Sequence, residues 1–271
     1  MFDKNKQLKS KVLKISIITV VFNGEKTIRD CIDSVLGQTY SDIEYIIIDG
    51  KSTDKTPEIV KSYGTKIAVF VSEKDSGIYD AMNKGIALAT GDVIGILNAD
   101  DFYRTAFVIE KIVSKLKRTQ ADGIYGDLIY VDGENNQQKS GENSQHIKRY
   151  WKSGTFSQNK FLYGWMPPHP TFFLRRASYQ QFGYYRTDLG SAADYELMLR
   201  MMYRYGIKMV YLPEIVTVMR VGGVSNKNIK NRLKANQGDR VAWELNGLKP
   251  YWFTLWLKPA RKVLQFVNRP K

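Results

Sequence analysis

The sequence predicts an α/β protein built on a mostly parallel, doubly wound sheet. Two observations predict this class: short apolar segments alternate with segments of helical periodicity, and acidic residues stand at the ends of several apolar segments. A chain that alternates in this way joins parallel strands through crossover helices. The predicted strands are 14–22 (KISIITVVF), 43–50 (IEYIIIDG), 66–73 (KIAVFVSE) and 92–100 (DVIGILNAD).

Helices are predicted between these strands. The segment 51–64 carries Pro57 behind Thr56, which is typical of a first helical turn, and ends at Gly64. The segment 77–91 is closed by Gly91. Apolar residues three and four positions apart predict the first helix, within 24–39: Ile28, Cys31, Ile32, Val35 and Leu36.

The second half of the chain is less regular. A helix is predicted at about 105–118, a strand with a turn at Asp132-Gly133 within 121–135, and a helix within 191–206. The aromatic and proline-rich segment 151–176 predicts an irregular loop that ends in a strand. Further extended segments are predicted within 207–225.

Length and composition favour one large domain with an appendage. The 271 residues are 43% apolar, which is enough for a sizeable core. The single cysteine, Cys31, has helical spacing to apolar neighbours and is interpreted as a core residue rather than a nucleophile. No segment approaches the roughly 20 apolar residues of a membrane span, and the apolar run 15–22 is too short for a signal sequence. We therefore expect a cytoplasmic protein, either soluble or at a membrane surface.

The last 46 residues are strongly basic and aromatic. Residues 226–271 hold eleven Lys and Arg residues against two acids, within a chain of formal charge +14. This pattern favours an anionic partner surface, phospholipid or nucleic acid, and the alternative is an appendage packed on the body. Pro259 is expected to divide 249–271 into two short amphipathic helices.

Polar residues follow the predicted strands at the edge where ligands bind to such sheets. The sequence has one glycine in the turn after the first strand and no phosphate-binding GxxxxGK[ST] motif. We therefore expect carboxylates to hold a divalent cation that in turn holds a diphosphate. The alternative role for the adjacent acids Asp100 and Asp101 is to cap the following helix. The residues concerned are Thr19, Asn23, Asp49, Glu73, Asp75, Asp100 and Asp101.

Two long segments resemble a known family. They are ISIITVVFNGEKTIRDCIDSVLGQTYSDIEYIIIDGKSTDKT and SEKDSGIYDAMNKGIALATGDVIGILNADDFY, and they resemble inverting glycosyltransferases of family 2, which have the GT-A fold. The resemblance is close over 14–103 and looser to about 225. Together with YGD, PHPTFFLRR and GGVS, it is similar to enzymes of bacterial O-antigen, capsule and exopolysaccharide synthesis.

The resemblance implies roles for individual residues. Asp100 falls on the metal-ligand position of the family's DxD triplet, with Asp101 beside it, and Asn98 replaces the first Asp. Asp194 falls on the catalytic base, although Ala193 replaces the more usual Glu before it. The predicted donor nucleotide contacts are Thr19, Asn23, Asp49, Glu73, Asp75, Lys84 and Asn98, and weaker acceptor or diphosphate contacts are His169, Tyr79 and Trp165.

The domain organisation follows from the same resemblance. We expect a catalytic domain at 1–225, with a donor half at about 14–103 and an acceptor half at about 104–225, and an appendage at 226–271. The QxxRW motif of processive synthases is absent from the sequence, which predicts transfer of a single sugar. The expected cofactor is Mn²⁺ or Mg²⁺.

The expected reaction follows from the chemistry of such a site. An acceptor hydroxyl needs a base, and the leaving nucleoside diphosphate needs a cation on the opposite face, so one displacement inverts the anomeric carbon. We expect a nucleotide-sugar donor, UDP-linked, and a polyprenyl-diphosphate-linked or glycan acceptor. The enzyme would lie on the inner face of the cytoplasmic membrane and bind no nucleic acid. The alternatives are a sugar nucleotidyltransferase and a non-catalytic binder of nucleotide sugars or anionic surfaces. Asp194 as a helix cap and His169 as a loop residue also remain open.

Overall fold

The structure is a computed structural model that describes residues 12–132, 147–221 and 229–267. Within these ranges nine strands form one sheet. The strands are β1 (Ile15–Val21), β2 (Ile43–Asp49), β3 (Val69–Ser72), β4 (Val93–Ile96), β5 (Asp101–Tyr103), β6 (Gly123–Val131), β7 (Ile147–Trp151), β8 (Phe173–Arg175) and β9 (Met209–Arg220).

The sheet has the order β3-β2-β1-β4-β8-β6-β9-β5, and β7 pairs with β6. The four strands of the N-terminal half are parallel to one another. β8 is antiparallel to both β4 and β6, whereas β9 runs parallel to β6. The predicted α/β class and doubly wound sheet are therefore confirmed, with antiparallel strands added in the second half.

Helices cover both faces of the sheet, so that the sheet separates two large apolar cores, and a smaller third cluster lies around Ile129 and Val218. One core packs β1 and β2 against the helices that carry Cys31 and Ile112. The other contains Ile86, Trp165, Met198 and Trp243. The helices are α1 (Ile28–Leu36), α2 (Thr56–Lys61), α3 (Ile78–Leu88), α4 (Val108–Thr119), α5 (Arg176–Phe182), α6 (Ala193–Met198), α7 (Ile229–Leu245) and α8 (Thr254–Val267).

Local sequence accounts for the first helices. In α1 the predicted apolar face is buried, including Cys31, which is fully enclosed. Burial raises the pKa of the Cys31 thiol to about 12, although hydrogen bonds from Thr19 and Tyr45 oppose the rise. The interpretation of Cys31 as a core residue is confirmed. In α3, a Cβ on Gly85 would lie 2.4 Å from the Ile18 side chain, so glycine allows α3 to approach β1 closely.

Three predicted elements differ from the structure. The fourth strand ends at Ile96, and a turn in which Asp101 N donates to Asn98 O leads into β5, which pairs with β9. The helix predicted at 105–118 begins later, at Val108. The helix predicted within 191–206 is α6 followed by a π-helical segment, Leu199–Arg204. The GGVS motif and the predicted boundary at 225 lie outside the described residues, as does the end of the turn predicted at Asp132-Gly133.

The basic C-terminal segment packs on the body through its inner side. Trp243 of α7 is fully buried and its indole N–H donates to the Tyr195 hydroxyl, at 3.0 Å. Thr254 Oγ1 donates to Leu162 O at 2.6 Å, and Leu255 is buried. The outer side stays exposed: 85% of Trp252 and 70% of Trp256 are accessible to solvent.

The prediction that Pro259 divides the tail into two helices is wrong. α8 continues through Pro259 from Thr254 to Val267. Proline removes one intrahelical hydrogen bond, and such a loss is tolerated where packing holds the helix on both sides. Lys258 provides this support before the proline, through hydrogen bonds of 2.7 Å to both oxygens of Asp239. Gln265 provides it afterwards, because it is buried and accepts a hydrogen bond from Arg149.

Candidate active site

The carboxyl ends of the parallel strands meet at one edge of the sheet. Val21 pairs with Asp49, and Asp49 pairs with Ser72, so β1, β2 and β3 end side by side. The segments that leave these strands are tied together: Asn23 Oδ1 accepts from Thr53 N at 2.9 Å. Asn23 has φ of 51°, a left-handed conformation that asparagine tolerates better than most residues. The predicted donor residue Asn23 is therefore exposed at this edge.

Asp49 is a buried residue at this edge of the sheet. Its side chain is fully buried and accepts hydrogen bonds from the backbone and hydroxyl of Ser52 and, at 2.6 Å, from the Ser72 hydroxyl. The carboxylate therefore fixes the segments after β2 and β3 relative to each other. Its direct contact with a nucleotide base stays a prediction.

Next to Asp49, three residues lie close together: Phe22, Gly50 and Asp75. A Cβ on Gly50 would lie 2.5 Å from Asp75 Oδ2 and 3.5 Å from the Phe22 ring, so this position has room only for glycine. The Phe22 ring is 65% exposed. The sequence analysis included Phe22 only as the last residue of the first predicted strand, and not among the site residues. The sequence feature that points to Phe22 as a site residue is an aromatic side chain at the end of the first strand, directly before Asn23.

Thr19 does not belong to this edge, and its prediction as a donor contact is wrong. The side chain is fully buried on the face of β1 that packs against α1. Its hydroxyl lies 3.0 Å from the Tyr45 hydroxyl and 3.5 Å from Cys31 Sγ. Because side chains alternate between the faces of a strand, proximity to the strand end did not bring Thr19 to the surface.

Lys84 and Glu73 form an ion pair beside the same edge. Lys84 Nζ lies 2.9 Å from Glu73 Oε1 and 3.5 Å from Asp80 Oδ2, and it donates to Lys74 O. The hydrogen bond to Glu73 raises the pKa of Lys84. Asp75 Oδ1 accepts from Gly77 N and caps the turn before α3. Donor contacts by Glu73, Asp75 and Lys84 stay predictions.

The polar residues that follow β4 lie in two different environments. Asn98 and Asp100 are half-buried, whereas Asp101 is fully buried. Burial raises the pKa of Asp101 well above its ordinary value, and the neighbouring Asp100 raises it further. Binding of a metal by Asp101 stays a prediction, and its Oδ1 is a buried oxygen without a hydrogen-bond partner among the described residues. The two acids are adjacent in sequence, but Asp101 belongs to a strand whose side chains are covered.

Arg220 of β9 contacts the turn formed by residues 98–101, hereafter the acidic turn. Its Nη1 donates to Asp100 O at 2.8 Å, its Nη2 pairs with Asp30, and its guanidinium lies over the Phe102 ring at 4.9 Å. The sequence analysis did not include Arg220. Its contact with the acidic turn is set by the pairing of β5 with β9, between residues far apart in sequence.

Asp194 lies in the first turn of α6 and is half-buried. Its Oδ1 accepts from Tyr195 N at 2.7 Å, so the carboxylate does stabilise the start of its own helix. Its charge also raises the pKa values of Tyr79 and Tyr185, both of which are raised first by burial. Asp194 therefore stabilises the start of α6 and also carries a charge that acts on Tyr79 and Tyr185.

Tyr130 connects the acidic turn to Asp194. Burial raises the pKa of Tyr130, the Arg149 guanidinium opposes the rise, and the carboxyls of Asp101 and Asp194 add to it. The guanidinium of Arg149 lies over the Tyr130 ring at 4.5 Å. Both predicted acid groups therefore lie within electrostatic reach of one phenol. Neither Tyr130 nor Arg149 was included in the sequence analysis.

Tyr79 and His169 lie near Asp194, as their predicted roles require. Burial lowers the pKa of His169, and the carboxylate of Asp194 opposes that change. Trp165 differs, because it is 5% exposed and its indole N–H donates to Ser153 O at 2.8 Å. Its main role is therefore packing, and its edge lines a separate cavity. Contact of these three residues with an acceptor stays a prediction.

The acidic turn fits a divalent cation that is bound by one protein carboxylate and otherwise by the phosphates of a substrate. Asn98 Oδ1 and Asp101 Oδ1 are buried oxygens without a hydrogen-bond partner among the described residues, so hard oxygen atoms surround Asp100. The described residues contain no cluster of three or more His, Cys, Asp or Glu side chains with metal-binding geometry. Mg²⁺ is commonly bound by one or two carboxylates together with substrate phosphates. Asp100 is the protein carboxylate available for this arrangement.

These features define a class of protein: a glycosyltransferase with a nucleotide-sugar donor and the GT-A fold. The family model for glycosyl transferase family 2 matches residues 16–183, more than half of the chain. The chain belongs to glycosyl transferase family 2. Within residues 12–132, 147–221 and 229–267, no helix combines the length and hydropathy of a transmembrane span.

The similar proteins agree with this assignment. A PGL/p-HBAD biosynthesis glycosyltransferase of Mycobacterium tuberculosis (strain ATCC 25177 / H37Ra) is 28% identical over 216 residues, 78% of each chain. The structure of S. aureus TarS 1–349 in complex with UDP-GlcNAc has a TM-score of 0.67 at 17% identity, over 94% of this chain and 72% of that one. The match to the longer TarS chain covers 39% of its length. The mannosyltransferase PcManGT from Pyrobaculum calidifontis, in complex with GDP-Man and Mn²⁺, has a TM-score of 0.63 at 17% identity, over 97% and 77%.

Proposed function

We propose that this protein transfers one sugar from a UDP-sugar to a lipid-linked or glycan acceptor in the synthesis of a bacterial surface glycan, with inversion of the anomeric carbon. One observation carries the proposal: the chain belongs to glycosyl transferase family 2, and β1, β2 and β3 end side by side with Asn23, Asp49 and Asp75 at or just after their carboxyl ends. The name of the mycobacterial relative, which refers to PGL/p-HBAD biosynthesis, supports such a role.

The donor lies at the carboxyl edge of the sheet in this proposal. The exposed Phe22 ring stacks on the base, and Asn23 and Asp75 flank it. UDP is the proposed nucleotide because TarS binds UDP-GlcNAc, and PcManGT, which binds GDP-Man, makes GDP the alternative to test. A divalent cation held by Asp100 would neutralise the charge that develops on the diphosphate as it leaves.

Asp194 acts as the general base. Its carboxylate takes the proton from the acceptor hydroxyl while that oxygen forms a bond to the anomeric carbon. The bond from this carbon to the diphosphate oxygen breaks in the same step, and the nucleoside diphosphate leaves on the opposite face. A single displacement of this kind inverts the configuration. Tyr79, which is affected by the charge of Asp194, lines the acceptor side.

The exposed side of the C-terminal segment supports a position of the enzyme on the cytoplasmic face of a membrane. Trp252, just before α8, and Trp256 and Val263 within it are all more than half exposed, and Arg261 of α8 is exposed as well. Exposed indoles beside cations are typical of helices that lie at a bilayer interface. The acceptor is then a sugar carried on a polyprenyl diphosphate.

The test is release of a nucleoside diphosphate by the purified protein. UDP-, GDP- and dTDP-sugars are each supplied with Mn²⁺ or Mg²⁺ and a polyprenyl-diphosphate-linked sugar as acceptor. We expect release with UDP-sugars that requires the metal and the acceptor, and NMR of the product should show an inverted anomeric linkage. Absence of release with every donor, or a retained configuration, would overturn the proposal.

A further inference from the structure

A basic cleft lies between α8 and the segments that follow β7. Its volume is about 270 Å³. It is separate from the edge where Phe22 and Asp75 lie, because different residues form its walls. Its lining includes Trp151, Lys152, Trp165, Lys258, Arg261 and Lys262.

The walls of the basic cleft are held in place by contacts of their own. The Trp165 indole N–H donates to Ser153 O at 2.8 Å, which joins the segments on two sides of the cleft. Gly164 has φ of 72°, and a Cβ there would lie 2.4 Å from the backbone nitrogen of Lys258. The backbone of α8 therefore packs directly on this loop. The cleft is preformed rather than created by a flexible tail.

The cations of the basic cleft are not balanced by acids. Lys258 is neutralised, because its Nζ lies 2.7 Å from each oxygen of Asp239. Lys152, Arg261 and Lys262 form no salt bridge with an acid in the described part of the chain. Partial burial, and then the positive charges of Lys258 and Arg149, lower the pKa of Lys262. Arg261 Nη1 donates only to a backbone carbonyl, Tyr163 O, at 3.3 Å. Three cations without an acidic partner around one cleft favour a ligand with more than one negative charge.

The position of the basic cleft links it to the proposed reaction. Lys258, which lines the cleft, lies 3.7 Å from the centroid of the Tyr195 ring, and Tyr195 directly follows Asp194 in α6, so the cleft lies close to the proposed general base. The exposed Trp256 lies on the same helix as Lys262, six residues earlier. A lipid that lies along the outer side of α8 would therefore bring its headgroup to the cleft and its sugar towards Asp194.

We propose that the basic cleft binds the diphosphate group of the lipid-linked acceptor, an inference that rests on the proposed function. A diphosphate carries the multiple charges that the three cations require, and an arginine guanidinium bonds two of its oxygens at once. The donor diphosphate has a separate position in the proposed function, at a divalent cation held by Asp100. The cleft therefore selects acceptors by their anionic linker and leaves the sugar free to reach the base.

The test compares the double variant Arg261→Gln/Lys262→Gln with Lys66→Gln, an exposed lysine beside the opposite edge of the sheet. Binding of inorganic pyrophosphate and of UDP is measured by calorimetry on full-length protein. We expect pyrophosphate affinity to fall at least about tenfold in the double variant, because two charged hydrogen bonds are lost. UDP affinity and thermal stability should stay unchanged, and Lys66→Gln should behave as the wild type.

Vesicles separate a lipid diphosphate from a general anionic surface. The double variant should lose binding to neutral vesicles that contain a polyprenyl diphosphate, and its KM for a diphosphate-linked acceptor should rise while kcat is kept. Unchanged pyrophosphate affinity would overturn the inference. An equal loss of binding to phosphatidylglycerol vesicles would assign the cations to the membrane surface, and a loss of UDP affinity would assign the cleft to the donor. If the wild type binds pyrophosphate in the cleft but releases no nucleoside diphosphate, the proposed function fails on its own.

Discussion

Nε2 of His169 lies 2.7 Å from the hydroxyl of Tyr185, on the wall that faces Asp194. Burial lowers the pKa of His169 from its ordinary value, and the carboxylate of Asp194 reverses this in part. Nε2 of His169 is already engaged with Tyr185. In the proposed mechanism Asp194, rather than His169, takes the acceptor's proton.

Substitution of Asp194 by Asn should separate catalysis from helix capping. Asn keeps the shape and the capping oxygen but lacks basicity, so we expect kcat to fall at least about a hundredfold. UDP affinity and the melting temperature should change little. The control is Asp188→Asn, an exposed carboxylate paired with Arg186. A loss of UDP affinity without a loss of turnover per bound donor would make Asp194 a binding residue.

Substitution of Asp100 by Ala should abolish turnover that depends on Mn²⁺ or Mg²⁺. Asp100 is half-buried at the end of a turn, so the free energy of unfolding should fall by no more than about 1–2 kcal/mol. The comparison is Asp188→Asn, which changes an exposed carboxylate paired with Arg186 and should keep metal-dependent release of UDP. Activity is titrated with metal after removal by EDTA. Full metal dependence in Asp100→Ala would exclude Asp100 from the site.

Phe22→Ala should weaken donor binding. Stacking of a base on an aromatic ring contributes about 1–3 kcal/mol, so UDP affinity should fall by roughly fivefold or more. Phe22→Tyr should restore it, because the ring is kept. The matched control is Phe107→Ala, which removes a ring that is 52% exposed away from this edge. Calorimetry with UDP measures the effect, and equal affinity in Phe22→Ala would remove the ring from the donor site.

Trp252→Ala/Trp256→Ala should reduce binding to anionic vesicles without unfolding the protein. Both indoles face solvent, whereas truncation of the tail would remove the buried Leu255 and destabilise the body. Sedimentation with phosphatidylglycerol vesicles should show wild-type binding that weakens as salt rises. Phe107→Ala again serves as the control. A wild-type protein that stays in the supernatant at low salt would contradict the membrane proposal.

Glu44 should make folding stability depend on pH in the acid range. Burial would raise its pKa, but hydrogen bonds from Lys14, Ser16 and Thr90 lower it to about 2. A depressed folded-state pKa stabilises the protein above the unfolded value near 4.5, and this contribution is lost as the pH falls towards 2. Glu44→Gln should therefore cost on the order of 2–3 kcal/mol at pH 7 and progressively less below pH 4. Urea unfolding at several pH values measures this, and an equal cost at pH 7 and pH 2.5 would contradict it.

The sequence by itself determined the class of the fold, and it predicted the sheet edge at which a donor would bind. The periodicity of α1 predicted its buried face, and the strand–helix alternation predicted the parallel strands β1 to β4. Local signals of this kind depend on residues close in sequence, so they are readable without the fold. The resemblance over 14–103 led to the family, which the match over 16–183 confirms.

The tertiary structure alone decided which side chains reach the site. Thr19 and Asp101 stand near strand ends, yet both are fully buried, because strand pairing sets the face of each side chain. Arg220 reaches the acidic turn across the β5–β9 pair, and Arg149 reaches Tyr130 from β7. α8 continues through Pro259 because Asp239 and Arg149 hold it on both sides. Each of these contacts joins residues distant in sequence, and no local pattern encodes the packing that brings them together.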